Sequence, residues 1–209
     1  MALPRPRFLS CVLAAGLVIP SPAAAFDTPL SDTAVREAYF LGQRRGEAMA
    51  KFLEKYTKHP PPPKSGPYVS SIAFFTPYAL VAQLSSRSTN YSAQQAEIDH
   101  RDLGEYVEVV VQFEYMDPNA TQSANGTFRV TAFWKDYDFQ ILDGEDVLRP
   151  FTSSAEPNYI CSEDGGCLVT GATLTFDLAP EFASDTATVR VTPPEGDPLS
   201  VDFDLSALR

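Results

Sequence analysis

Residues Tyr106–Tyr115 alternate between apolar and polar side chains. Val107, Val109, Val111, Phe113 and Tyr115 fall on one side, and Tyr106, Glu108, Gln112 and Glu114 on the other. Successive side chains of a β-strand point to opposite faces, so this stretch predicts a strand with one dry and one wet face. Much of the chain after Tyr68 follows the same two-residue period. Val69–Phe75 reads as a strand interrupted by Pro77, and Tyr78–Leu84 as a second strand. Phe128, Val130, Ala132 and Trp134 alternate after a loop at 117–126. Tyr137, Phe139 and Ile141 continue to a turn at Asp143-Gly144. Leu168–Leu178, Thr186–Thr192 and Leu199–Leu205 complete the set, the last two separated by the turn Pro193-Pro194-Glu195-Gly196-Asp197-Pro198.

Short strands with turn signals between them predict an antiparallel sandwich or barrel. The C-terminal strand pair, with its Pro-Glu-Gly-Asp turn, is similar to an immunoglobulin-like module. A short helix is expected near 92–103. Ser92 with Gln95 forms a capping box there, and Gly104 stands where a helix would end.

Residues 31–57 predict one amphipathic helix with Ser31 as N-cap. One arc collects Ala34, Val35, Ala38, Tyr39, Leu41, Gly42, Gly46, Met49, Ala50, Phe52, Leu53 and Tyr56. The opposite arc carries Arg36, Glu37, Gln43, Arg44, Glu47, Lys51, Glu54 and Lys55. Small residues recur at Ala34, Ala38, Gly42, Gly46 and Ala50, a ridge that lets another backbone approach and is expected to rest on the β-rich body. Two residues sit on the wrong arcs. Phe40, on the polar side, is a candidate partner contact. Arg45, on the apolar side, reads as a snorkelling side chain or an anion clamp. His59 follows at the helix end, and His59–Pro67 reads as a stiff polyproline spacer.

The fold expected is α+β: mainly an antiparallel β-sandwich, immunoglobulin-like or similar, with a long N-terminal amphipathic helix packed on it. The organisation expected is a signal peptide at 1–25, the helix within 26–58, the spacer at 59–67 and a β-rich domain at 68–209.

The signal peptide rests on Arg5 and Arg7, an apolar run from Phe8 to Ile19, and Pro20-Ser21-Pro22 followed by Ala23-Ala24-Ala25. That run is too short to span a hydrocarbon core of about 30 Å. Cleavage is expected between Ala25 and Phe26, placing the mature protein in a periplasmic or extracellular compartment, with no membrane span remaining. Cys11 precedes most of the apolar run, which is the wrong place for a lipidated cysteine. Of the three cysteines, Cys161 and Cys167 then remain, separated by a turn-forming Ser-Glu-Asp-Gly-Gly. An even count in an oxidising compartment predicts a disulfide between them. Zinc would require a second ligand pair nearby. Asn90, Asn119 and Asn125 open glycosylation triplets that matter only in a glycosylating pathway.

With 27 acidic and 16 basic residues the net charge is −11, and loss of Arg5 and Arg7 takes it to −13. Such a chain repels phosphate backbones, so nucleic acid is not an expected partner. An apolar content of 44% with 11% aromatics places the chain among globular proteins.

Catalytic signals are sparse. The chain has two histidines, His59 and His100, and lacks a Gly-x-Ser-x-Gly elbow, a His-Glu-x-x-His motif and a Gly-rich phosphate loop. Glu97, Asp99, His100, Arg101 and Asp102 read as a metal-ligand cluster or, more simply, as a solvated helix face with a Glu97–Arg101 pair. Asp143-Gly144-Glu145-Asp146 reads as a turn, or as a calcium loop lacking the usual ligand spacing. Asp136 with Asp138, and Glu108 with Glu114, are carboxylate pairs of the kind glycosidases need. No cofactor is expected. The functional expectation is an exported, non-catalytic binding or structural module whose partner is a protein or an envelope polymer. The alternative is a small extracytoplasmic hydrolase with its site near His100.

Overall fold

The computed structural model describes residues 25–64, 66–116, 132–161 and 167–209. The expected signal core at 8–19, the loop at 117–126 and the strand start at Phe128 and Val130 lie outside these residues. The chain is mixed α/β with two antiparallel sheets. Its helices are α1 (Asp32–Gln43), α2 (Gly46–Glu54), α3 (Pro77–Arg87) and α4 (Ala93–Leu103). Its strands are β1 (Thr57–Lys58), β2 (Gly66–Phe75), β3 (Val107–Met116), β4 (Asp138–Asp143), β5 (Asp146–Leu148), β6 (Thr152–Cys161), β7 (Cys167–Leu178), β8 (Thr186–Thr192) and β9 (Leu199–Asp204). One sheet has the order β1-β2-β3-β7-β6 and the other β5-β4-β8-β9.

The alternation of β3 settles how the larger sheet is covered. Val107, Val109, Val111 and Phe113 are fully buried, together with Ile72 and Phe74 of β2. They share one core with Ile141, Val189, Val191 and Phe203 of the smaller sheet. Aromatic rings cross between the sheets: Phe74 lies 5.5 Å from Phe203, Phe113 4.8 Å from Tyr137, and Phe139 5.4 Å from Phe176. Phe26 joins this core against Phe182 at 5.9 Å.

Four expectations are corrected. The helix expected over 31–57 is two helices. Tight bonds from Arg44 N to Leu41 O and from Arg45 N to Gly42 O close α1, and Arg45 adopts a positive φ of 40° before α2 begins. Arg45 is exposed and donates to the Ser88 carbonyl at 2.8 Å, so it clamps a backbone oxygen rather than a buried anion. The strand expected at Tyr78–Leu84 is helix α3. Thr76 caps it by accepting from Ala79 N, Pro77 fills the first turn, and Tyr78, Val81, Ala82 and Ser85 bury one helical face. Those start signals outweigh the β propensity of the intervening residues. The alternation reaching Trp134 ends in a 3-10 turn over Phe133–Asp136.

The small-residue ridge does seat a close contact, but on α3 rather than on a sheet. Leu30, Ala34, Val35 and Ala38 form a second core with Tyr78, Val81, Ala82 and Ala96. A Cβ built at Gly42 would stand 2.2 Å from the Ala82 carbonyl oxygen and 2.8 Å from Ser85 Cβ. Gly46 and Ala50 are exposed, because the break after α1 turns them away. Gln43, placed on the polar arc, donates to the Ser85 carbonyl at 2.8 Å. The expected caps of α1 and α4 are present, at Ser31, Ser92 and Gly104.

Gly42→Ala is expected to destabilise the protein by about 1–3 kcal/mol through overpacking. Glu47→Ala, on an exposed helix surface, should stay within about 0.5 kcal/mol of the parent. Chemical denaturation of both variants checks the α1–α3 contact, and equal effects would refute it.

Candidate functional site

The outer face of the larger sheet carries polar rungs. Ser71, Gln112, Thr173 and Glu156 are Cα partners across β2, β3, β7 and β6. The next rung on that face is Ala73, Val110, Thr175 and Ser154. The third is Phe75, Glu108, Asp177 and Thr152. Helix α3 leaves β2 directly after Phe75, and α4 returns to β3 through Gly104, Glu105 and Tyr106. Both helices therefore stand at the end of the sheet that holds the third rung.

Two hollows meet there. One, of about 280 Å³, lies between α3, α4 and the start of β3. Leu80, Leu84, Leu103, Tyr91, Tyr106 and His100 are among its walls. The other, of about 420 Å³, lies along the outer face over Ser71, Ala73, Val110, Gln112, Thr173 and Thr175, with His59 at its side. Gln83, Arg87 and Glu108 line both, so the two hollows adjoin at these side chains and are described together as the groove. Of the two histidines, His100 borders the first hollow and His59 the second.

Glu108 and Asp177 face each other across β3 and β7. Neither side chain has a hydrogen bond or ion pair among the described residues, and Asp177 Oδ1 is buried without a partner. Burial, then repulsion from Asp177, pushes the Glu108 carboxyl above its usual range, and attraction to Arg87 offsets only part of this. Burial raises the Asp177 carboxyl as well. Burial also raises the Tyr106 phenol, with Glu108 and Asp177 adding to the effect. An unpaired carboxylate moved out of water costs free energy that cross-strand geometry alone does not return.

The charged stretch of α4 resolves into separate contacts. Arg36 of α1 pairs with Glu97, which lowers that carboxyl. The Arg101 partner expected for Glu97 contributes only a weaker attraction. Asp99 accepts from Tyr91 OH at 2.9 Å and from Gln95 Nε2 at 2.6 Å. Burial and the Asp99 acceptor raise the Tyr91 phenol strongly. His100 Nε2 lies 3.0 Å from Glu105 Oε1. Glu105 also accepts from Thr28 Oγ1 at 2.6 Å and Leu30 N at 2.5 Å. No hydroxyl hydrogen-bonds to His100 among the described residues, so a serine–histidine pair is not assembled there.

The other sequence candidates are placed as follows. Phe40 is 61% exposed, its ring edge-on to Tyr39 at 5.1 Å. Asp143 closes the β4–β5 hairpin opposite Asp146. Burial would raise its carboxyl, yet bonds from Ser184 and from the Ala183 and Ser184 amides hold it low. Asp136, at the end of the 3-10 turn, and Asp138, at the start of β4, are both exposed. Glu114 accepts from Tyr68 OH at 2.8 Å and stands six residues, about 20 Å, along β3 from Glu108. The expected Glu108–Glu114 pair is therefore replaced by Glu108–Asp177. Asp177 was not singled out from the sequence; the alternation of Thr173, Thr175 and Asp177 with Ala172, Leu174 and Leu178 is the signal that could have placed it outward, but only the register supplies its partner. Cys161 and Cys167 are Cα partners at the far end of the β6–β7 ladder. Compared with known proteins, the chain matches no family model, and no curated protein matches it.

The carboxyl pair makes a prediction with a definite sign. A carboxyl raised in the folded state binds its proton more tightly there than when unfolded. Its penalty is absent below the ordinary carboxylate range, grows as pH rises toward the raised value, and is full above it. Asp177→Asn removes one charge from a site bordered by Glu108, Tyr106 and Arg87. It should melt above the parent at pH 7, with the difference shrinking toward pH 4. A variant that melts below the parent at both pH values would mean that Asp177 has a stabilising partner.

Proposed function

We propose that the protein is an exported, non-catalytic binding module whose ligand site is the groove along the outer face of the larger sheet. The observation that carries this reading is the Glu108–Asp177 rung. Two partly buried carboxyls without partners lower stability, and such groups collect where a surface is shaped for something other than folding. The polar rungs beside them offer hydroxyl and amide groups, and α3 and α4 wall one end. We read the two sheets as halves of a β-sandwich. The adjacent antiparallel strands β8 and β9 support its immunoglobulin-like character. Phe40 supplies a separate exposed contact for a protein or envelope-polymer partner.

A hydrolase is the second reading, favoured by His100 held against Glu105 in the wall of the smaller hollow. Immobilised mature protein should retain an envelope component that Glu108→Gln protein fails to retain. A panel of ester, glycoside, peptide and phosphate substrates should show no turnover that disappears in His100→Ala. Turnover lost in that variant would establish the hydrolase instead.

Export carries its own expected outcome. N-terminal sequencing of the mature protein should begin at Phe26. Intact mass after alkylation without reductant should show no modified cysteine, since opposed Cys161 and Cys167 suit a disulfide. A mature form retaining residues 8–19 would refute cleavage, and two alkylated thiols would refute the bridge.

A further inference from the structure

We propose that the hollow between α3 and α4 binds an amphipathic amine, with its ammonium group at Glu108 and its apolar body against Leu80, Leu84 and Leu103. This rests on the groove being the ligand site and goes beyond it by naming the ligand chemistry.

The charged groups around the hollow decide the sign. Asp99 already accepts from Tyr91 and Gln95, and His100 is engaged with Glu105. Arg87 is exposed, and no ion pair joins it to Glu108 among the described residues. Glu108 has neither a hydrogen bond nor an ion pair among the described residues, and Arg87, which lines the same hollow, offsets its burial and the repulsion from its Cα partner Asp177 only in part. A ligand anion would add another like charge beside Glu108 and Asp99. A neutral hydroxyl would donate one hydrogen bond and leave the charge in place. An ammonium supplies both donor and countercharge, the stronger of the two contacts. The acidic protein as a whole also raises the local concentration of cations.

The walls decide the rest of the ligand. Leu103 is 70% exposed and Leu84 41%, although both border a concave site. They form an apolar lip that a hydrocarbon body would cover. A hollow of about 280 Å³ suits a molecule of one ring and a short chain, just below the usual ligand-site range of about 300–1,000 Å³.

The test titrates mature protein at pH 7 and low salt with three probes of one shape: phenethylammonium, 2-phenylethanol and 3-phenylpropionate. Amide shifts locate each probe, and the titration gives its affinity. Phenethylammonium should perturb Leu80, Leu103 and Glu108 and bind about tenfold more tightly than the alcohol, the scale of one well-placed ionic contact. Glu108→Gln should erase that preference and leave the alcohol unchanged, and Asp177→Asn should reduce it. Equal or tighter binding of the alcohol or the carboxylate at these residues would overturn the amine assignment while keeping the groove. Absence of groove shifts with all three probes would overturn the amine assignment. Loss of Glu108 dependence in envelope retention would overturn the groove itself. Failure of both variants to fold would also count against the proposal, because it would show that the carboxyls are compensated.

Discussion

Strand β3 is paired on both sides, so each of its side chains must face either the shared core or the outer surface. The dry set, Val107, Val109, Val111 and Phe113, is fully buried and joins the two sheets through one aromatic-rich interior. The wet set, Glu108, Gln112 and Glu114, is thereby committed to the opposite side. Val110 alone interrupts it. The groove is thus a by-product of how the core is made: a one-residue slip of β3 would bury the carboxyls and expose the valines together.

The helices reach that face through contacts of a different kind. Gly42 lets α1 touch the α3 backbone, and Glu105 fastens Thr28, Leu30 and His100 to the turn entering β3. Arg209 closes the other side. Its carbonyl accepts from Tyr56 OH at 2.9 Å and from Thr76 Oγ1, and its guanidinium lies 4.5 Å from the Tyr78 ring and pairs with Glu37 and Asp27. Thr76 also caps α3, so the end of β2, the start of the helix and the last residue meet at one hydroxyl. These ties hold the groove wall to the sheet without depending on burial of the groove itself.

Local periodicity carried much of this architecture into the sequence. The two faces of β3, the caps at Ser31 and Ser92, and the outward position of Phe40 follow from spacing alone. Tyr78–Leu84 misleads because its apolar residues fit a strand as well as a helix, and the decisive signal is the Thr76-Pro77 start. The break at Arg45 was illegible for another reason: its neighbours continue the amphipathic pattern, and only the turn of the chain after the α1–α3 contact requires a positive φ there. The Glu108–Asp177 rung lay deeper still. Its members are far apart in the chain, and their meeting is a matter of strand order and register.

The β6–β7 ladder begins at the Cys161–Cys167 rung and ends at the Thr152–Asp177 rung, about 30 Å away along the strands. A change at the Cys161–Cys167 rung acts on the tip of the hairpin. To alter the carboxyl rung, it would have to loosen the backbone pairing of the whole intervening ladder, including the bulge at Asn158/Tyr159. The groove is insulated in this way from events at the hairpin tip: a change in the pairing there alters how firmly the tip is closed without changing what the groove presents.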